Sequence, residues 1–432
     1  MNKKIARYLS LSVIAMIGVS IYILADTFFI SKKFGAQGLA TLNLILPLFG
    51  LIFAIGSMIG IGSATRYQIL VSAGKQADDC FLHSLAWSFL FGLPFVVVGV
   101  FFPEEILRLL GANQKLVDLG NNYLTCIFCA APLFMCNYSF TAFVRNDHAP
   151  GISMFAALMG SAFNIVFDYI FLFPMKMGFV GAALATVASP LVTMAICTCH
   201  FLGKKNGVGF AFHGLFFKRL LRCALIGMSS FVGEFSSGMI TLIFNGLILK
   251  LVGTVGVAAY GVIANIALVA MAIFNGVAQG LQPLISQNYG KNKGEEVREL
   301  LRKGLFIAGI LALLIVFITW GFTDSLIGIF NSEGNKQLLK YAYPGIRIYF
   351  LGFLFAGFNI VLIAYFSATD KGELVTIASL LRGCVLIALC AVVLGRLFGL
   401  WGVWASFGLA EGMTFIFLFL WGKFAKSSSC LK

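Results

Sequence analysis

The sequence predicts an all-α polytopic membrane protein, with about twelve transmembrane helices in two parallel six-helix lobes related by a pseudo-two-fold along the membrane normal. Three observations predict it. Of the 432 residues, 60% are hydrophobic and 11% charged, where a soluble domain carries roughly 25% charged residues. Apolar runs near the roughly 20 residues that a membrane crossing needs recur along the whole chain. Short segments also repeat about half a chain apart. The 47 Gly agree with this class, because small residues let membrane helices approach closely.

The apolar runs place spans at approximately 9–30, 40–63, 81–102, 119–141, 151–173 and 178–202, then 223–249, 256–285, 304–323, 341–366, 375–398 and 400–422. The opening Met1-Asn-Lys-Lys-Ile-Ala-Arg7 resembles the start of a signal peptide. No A-x-A site follows it and many more spans do, so it reads as a retained first span. With the N-terminus inside, 21 of the 31 Lys and Arg fall on inner segments and 10 on outer ones. Both termini are therefore expected in the cytoplasm and the protein in the plasma (cytoplasmic or inner) membrane. The net charge of +14 then reads as topology signal and lipid contact, and no nucleic-acid partner is expected. The ten Cys form no metal-ligand set with His and read as reduced packing residues.

The repeat shows in two places. Ser72-Ala-Gly-Lys-Gln-Ala-Asp-Asp79 follows span 2, and Asn288-Tyr-Gly-Lys-Asn-Lys-Gly-Glu-Glu296 follows span 8. Gly178-Phe-Val-Gly-Ala-Ala183 opens span 6, and Gly399-Leu-Trp-Gly-Val-Trp404 opens span 12. Each half holds an even number of spans, so both enter the membrane from the same side. The expected division is an N-terminal lobe over 1–203, a cytoplasmic linker over 204–222 and a C-terminal lobe over 223–432. Two lobes about a central cavity suit a transporter.

Ionisable residues inside the spans are few. Asn164 and Asp168 stand i, i+4 in the otherwise apolar stretch Gly160–Phe173, so their side chains share a helix face. A carboxylate at the bilayer centre costs about 2.5–3.5 kcal/mol on insertion scales and usually faces a protein interior or a watery cavity. The plain alternative is that Asp168 caps a helix end. Asp26 ends the run from Ile14, with Tyr22 four residues before it, and lies in the outer part of span 1 as Asp168 does in span 5. Thr186 falls in the outer half of span 6. A snorkelling role for Asp26 is the alternative, and Asp is short for it. Together these residues offer oxygens suited to a hard cation such as Na⁺. Equally, two close carboxyls in low dielectric cannot both stay ionised, which suits a proton relay.

In the second lobe Glu234 stands near the middle of span 7 with no evident local partner. Glu411 in span 12 is expected to pair with Arg382 in span 11. Asn275, Gln279 and Gln282 share one face of span 8 and are candidate cavity residues, or bonds between helices. A few of the 45 Phe suit a cavity for flat organic cations. His83, His148, His200 and His213 sit at span ends or in loops and point to no chemistry. No P-loop, H-E-x-x-H or nucleophile elbow is present. An intramembrane enzyme would need a nucleophile and a base within reach, and none can be assembled.

The order of spans, Asp26-Thr-Phe-Phe-Ile30, Val144-Arg-Asn-Asp147, and above all Asn164-x-x-x-Asp168-Tyr followed by Gly178-x-x-Gly-Ala-Ala-Leu-Ala-Thr186, resembles the multidrug and toxic compound extrusion family over nearly the whole chain. The resemblance is nearest to the bacterial multidrug-exporting branch. It implies cation-coupled antiport, in which H⁺ or Na⁺ enters as an organic, often cationic, drug leaves, with no cofactor beyond the coupling ion. It implies a first-lobe cation site at Asp26, Asn164, Asp168 and Thr186, with Tyr22 beside it, and it matches Glu234 to a family acid in span 7. The chain departs from the pattern at Ser31-Lys-Lys33 and at His148-Ala149. It also lacks an acid deep in span 10 and a proline in span 1. A monomer in contact with membrane lipid is expected. A flippase of a lipid-linked precursor on the same general fold is the runner-up, and the absence of a mid-span cation in the first lobe disfavours it.

Overall fold

The computed structural model describes residues 2–204, 206–330 and 335–429, except for the side chains of residues 2, 36, 39, 254 and 422–429. Lys205 and Lys432, counted above as inner cations, lie outside these residues, as do Met1, 331–334 and 430–431. The described residues are helical with no strand.

Span 1 (Lys3–Gly35) and span 2 (Ala40–Ser72) are followed by span 3 (Cys80–Phe101). Span 4 is broken into Gln114–Cys129 and Ala131–Asn146, bent by 45°. Spans 5 and 6 are Pro150–Leu172 and Phe179–Phe201. Spans 7, 8 and 9 are Phe217–Val252, Val255–Gly290 and Gly294–Gly321. Span 10 is again broken, into Lys336–Leu351 and Phe353–Ala368, bent by 40°. The last helical run, Gly372–Trp421, has 50 residues. It would rise about 75 Å if straight, over twice the hydrocarbon thickness of about 30 Å. It breaks at Gly399, where φ is 60°, and so supplies spans 11 and 12. Span 7 starts at Phe217, inside the stretch expected to be linker. Its first turns are held by Arg219, which is tied to Asp79 at the start of span 3.

The internal repeat is written into the backbone. Eight of the left-handed residues fall in pairs half a chain apart: Gly35 with Gly253, Gly74 with Asn292, His148 with Asp370, Gly178 with Gly399. Each pair makes the same turn in the two lobes. Gly35, Gly178, Gly253 and Gly399 share one conformation, with φ of 59°, 69°, 77° and 60° and ψ between −139° and −164°. That region is open to glycine and strained for other residues, so these four positions tolerate little else. The bent spans 4 and 10 and the short helices Pro103–Leu109 and Thr323–Phe330 also correspond.

Each lobe has its own core. Ile45, Tyr123, Phe128 and Met135 belong to the first, Phe274, Phe350, Phe353 and Trp404 to the second. Outward faces are apolar and exposed, as on span 9 at Phe306, Leu313 and Phe317, at 70%, 64% and 70%. Such faces fit a hydrocarbon surround.

The lobes meet along spans 1 and 8 and along spans 2 and 7. Glycines make the approach close. Gly280 faces the backbone of Tyr8 and Leu9, Gly276 faces Val13, and Gly62 and Gly227 face Cys223 and Met58. Ile5, Tyr8 and Leu9 of span 1 consequently pack into the second lobe's core. These contacts lie toward the face that carries the N-terminus, here called the basic face.

Candidate functional site between the lobes

Span 5 carries a fully buried amide and a fully buried carboxyl. Asn164 and Asp168 have no exposed surface, and Thr186 on span 6 is 8% exposed. Spans 5 and 6 close tightly because Gly160 faces Ser189 and Thr193 of span 6. Thr193 in return donates to the Ala156 carbonyl at 3.2 Å. That packing turns the Asn164–Asp168 face inward, toward span 1. The Asp26 and Asp168 carboxyls lie close together, each within the electrostatic reach of the other. Two carboxylates offer only acceptors, so a hydrogen bond between them needs a proton on one.

Around this pair the protein leaves polar atoms without partners. Asp26 Oδ1, both polar atoms of the Asn164 amide and both oxygens of Asp168 are buried and bond to no protein group. Native structures pair nearly all such atoms, so a cluster of five calls for a reason. Thr186 donates to the Ala182 carbonyl at 3.0 Å, and its oxygen lies beside the Tyr123 hydroxyl. Tyr22 lies within electrostatic reach of Asp26, Glu234 and Asp168. It therefore lies near the acids of both lobes. Tyr138 stands close to Glu234 and Tyr22. Glu234 itself is flanked by Phe231 and Phe235, whose rings stack with centroids 5.9 Å apart.

The sequence reading passes over Tyr123 and Tyr138, because no spacing ties span 4 to Asp26 or Glu234. It also treats His200 as uninformative. In the structure the His200 Nε2 meets Asp147 Oδ2 at 2.8 Å, and the Gly207 N–H donates to the same oxygen at 2.9 Å. The Tyr67 hydroxyl donates to the Gly207 carbonyl at 2.9 Å. This network straps the chain at Gly207 to the first lobe. Cys126 and Cys129 stand in C-x-x-C spacing, also unremarked above, and both thiols are free.

The polar stripe of span 8 divides. Gln279 accepts from Arg145 of the first lobe at 2.5 Å, whereas Gln282 donates to Ser367 of its own lobe at 3.0 Å. Asn275 remains partly exposed. Two further contacts join the lobes at the basic face, Lys4 to Gln287 at 3.1 Å and Arg66 to Asp370 at 3.6 Å. In the second lobe Arg382 Nε donates to Glu411 Oε1 at 2.7 Å, and the Asn359 amide donates to Oε2 at 2.7 Å. A π-helical turn over Leu381–Val385 carries Arg382 there.

The comparisons agree with this architecture. The MatE family model matches residues 12–170 and again 229–393, one match in each half. The chain is 26% identical over 402 residues to the multidrug export protein MepA of Staphylococcus aureus strain MRSA252, covering 91% of this chain and 87% of that one. It is 27% identical over 405 residues to the protein of the same description from Staphylococcus saprophyticus, covering 90% and 86%. A solved structure described as the outward-facing conformation of a multidrug resistance MATE family transporter superposes with a TM-score of 0.92, at 23% identity, over 100% of this chain and 97% of that chain. The chain belongs to the MatE family of multidrug export transporters.

Proposed function

We propose that the protein is a secondary antiporter that exports organic, often cationic, compounds in exchange for H⁺ or Na⁺. The neighbouring carboxyls of Asp26 and Asp168, among five buried polar atoms without protein partners, carry the reading. Oxygens of Asp26, Asn164 and Asp168, with the Thr186 hydroxyl nearby, suit a small hard cation. A proton on one carboxyl satisfies the same need. Either ion relieves the like-charge repulsion between the two acids. Export by Staphylococcus relatives described as multidrug export proteins supports a drug-like substrate.

In this reading the basic face is cytoplasmic, in line with the Lys and Arg distribution, and both termini lie there. The region of Tyr22, Tyr138 and Glu234 is then the part that faces the outside while the basic face is shut. The coupling ion enters from outside, neutralises the first-lobe pair and lets span 1 pack against spans 5 and 6, which displaces the substrate. Entry of one charge supplies roughly 2.3 kcal/mol per 100 mV of membrane potential. A flippase of an anionic lipid precursor would need free cations in the cavity, whereas Arg382 is bonded to Glu411. Uptake of a fluorescent organic cation into proteoliposomes under imposed pH or Na⁺ gradients tests the function. Gradient-driven transport is expected in the wild type and is expected to vanish in Asp26→Asn and Asp168→Asn. Equal transport by both variants would remove the pair from coupling.

A further inference from the structure

A second site lies away from the Asp26–Asp168 pair, at the basic face. Lys3, Lys4, Arg7 and Tyr8 of span 1, His148 before span 5 and Gln287 of span 8 line a pocket of about 420 Å³. Lys291 is close enough to act electrostatically on both Lys4 and His148. No acidic side chain pairs with Lys3, Lys4 or Arg7 among the described residues. The nearby Asp147 is committed to His200 and Gly207. Burial, and the Lys4 charge next, hold the His148 imidazole below its ordinary value.

The pocket heads an apolar stripe. Arg7, Ile14, Ile21 and Phe28 recur at seven-residue spacing and all are exposed, Ile14, Ile21 and Phe28 by 47%, 52% and 60%. Seven residues are two helical turns, so Arg7 sits directly above a strip that faces hydrocarbon. Gly151 at the start of span 5 lies beside the Arg7 guanidinium, and the exposed Ile152 and Phe155 of that span continue the apolar surface. A basic pocket open only to water would not continue into such a strip.

We propose that this pocket binds the phosphate headgroup of an anionic phospholipid, whose chains lie along Ile14, Ile21 and Phe155. The ligand bridges the lobes, since Lys4 and Arg7 come from the first and Gln287 and Lys291 from the second. It therefore favours the arrangement in which the basic face is closed, because a ligand shifts a population toward the state it binds better. This binding does not depend on the antiport reading or on membrane orientation.

The test is native mass spectrometry of the full-length, delipidated protein titrated with phosphatidylglycerol, phosphatidylcholine or soluble glycerol phosphate. Phosphatidylglycerol is expected to bind more tightly than phosphatidylcholine, and Lys4→Gln/Arg7→Gln is expected to weaken it by roughly tenfold. Lys4→Arg/Arg7→Lys should restore the preference, which separates lost charge from lost folding. Lys204→Gln/Arg222→Gln, on the same face outside the pocket, should leave it unchanged. Equal binding of the two lipids, an unchanged Lys4→Gln/Arg7→Gln variant, or equal loss in Lys204→Gln/Arg222→Gln would overturn the site. Competition by glycerol phosphate as strong as by the lipid would replace the lipid with a soluble phosphate and overturn the proposal as stated.

Discussion

The Arg145 guanidinium of the first lobe donates to the Gln279 side-chain oxygen of the second at 2.5 Å, across 134 residues of sequence. Arg145 is 9% exposed, so few water molecules compete for it. Hydrogen bonds to charged groups contribute about 1.5–3 kcal/mol. With Lys4–Gln287 and Arg66–Asp370 it holds the basic face shut. Arg145→Ala is expected to raise the open fraction of that face by roughly tenfold or more. The buried Cys223, against which Gly62 packs, reports the opening. Its maleimide labelling, read by peptide mapping, should rise in Arg145→Ala and in Gln279→Ala. Unchanged labelling in both would show that the glycine contacts alone close the seam.

Substrate and coupling ion should antagonise each other's binding by the same factor in each direction, as linkage requires. Substrate affinity of the purified protein, measured across pH and then across Na⁺ at fixed pH, is expected to fall as the coupling ion rises. Asp168→Asn should flatten that dependence. A wild type flat in both titrations removes Asp26 and Asp168 from the coupling step.

Glu234 has no ion-pair partner among the described residues, and the stacked rings of Phe231 and Phe235 lie on the same stretch of span 7. A bound organic cation would gain both a counter-charge and π faces there. Glu234→Gln should therefore weaken binding of cationic substrates by about tenfold and of neutral ones little. Equal loss for both classes would assign Glu234 to packing.

Arg382 and Glu411 are largely buried, at 15% and 4% side-chain exposure. Removing one partner of such a pair strands a charge and costs about 3–5 kcal/mol. Glu411→Gln should lower thermal stability accordingly. Replacing both, as Arg382→Met with Glu411→Leu, should recover most of it, since an apolar pair of similar volume needs no counter-charge. A double variant no better than the single one would assign the loss to the buried Asn359 amide, which also bonds to Glu411.

The Asp79–Arg219 pair anchors the start of span 7 to the start of span 3. Burial pushes the Asp79 carboxyl up, but the Arg219 hydrogen bonds and charge outweigh it and hold the carboxyl below its ordinary value. A depressed folded value stabilises the protein above the unfolded value of about 3.9. That contribution is lost as pH falls through the folded value. Arg219→Ala should cost about 1–3 kcal/mol near neutral pH. Its deficit against the wild type, measured by thermal unfolding, should shrink below about pH 4. A deficit constant from pH 7 to pH 3 would assign the loss to packing of the Arg219 stem.

The membrane class, the twelve crossings and the parallel repeat belong to the sequence alone, because each rests on a local property: apolar length, Lys and Arg placement, or a segment recurring half a chain on. The candidate acids were legible for a similar reason, since a carboxyl at membrane depth is costly wherever its helix packs. Helical period also showed that Asn164 and Asp168 share a face. Period does not say which other helix that face meets. The approach of Asp26 to Asp168, the nearness of Tyr123 and Tyr138, and the passage of Arg145 to Gln279 were decided by tertiary packing. So was the split of span 8, where Gln279 and Gln282 sit on one face yet turn to different lobes. His200 is the clearest instance. On the sequence it is a residue at a span end, and only the fold brings it to Asp147, because the contact depends on how spans 4 and 6 pack rather than on anything within 53 residues of chain.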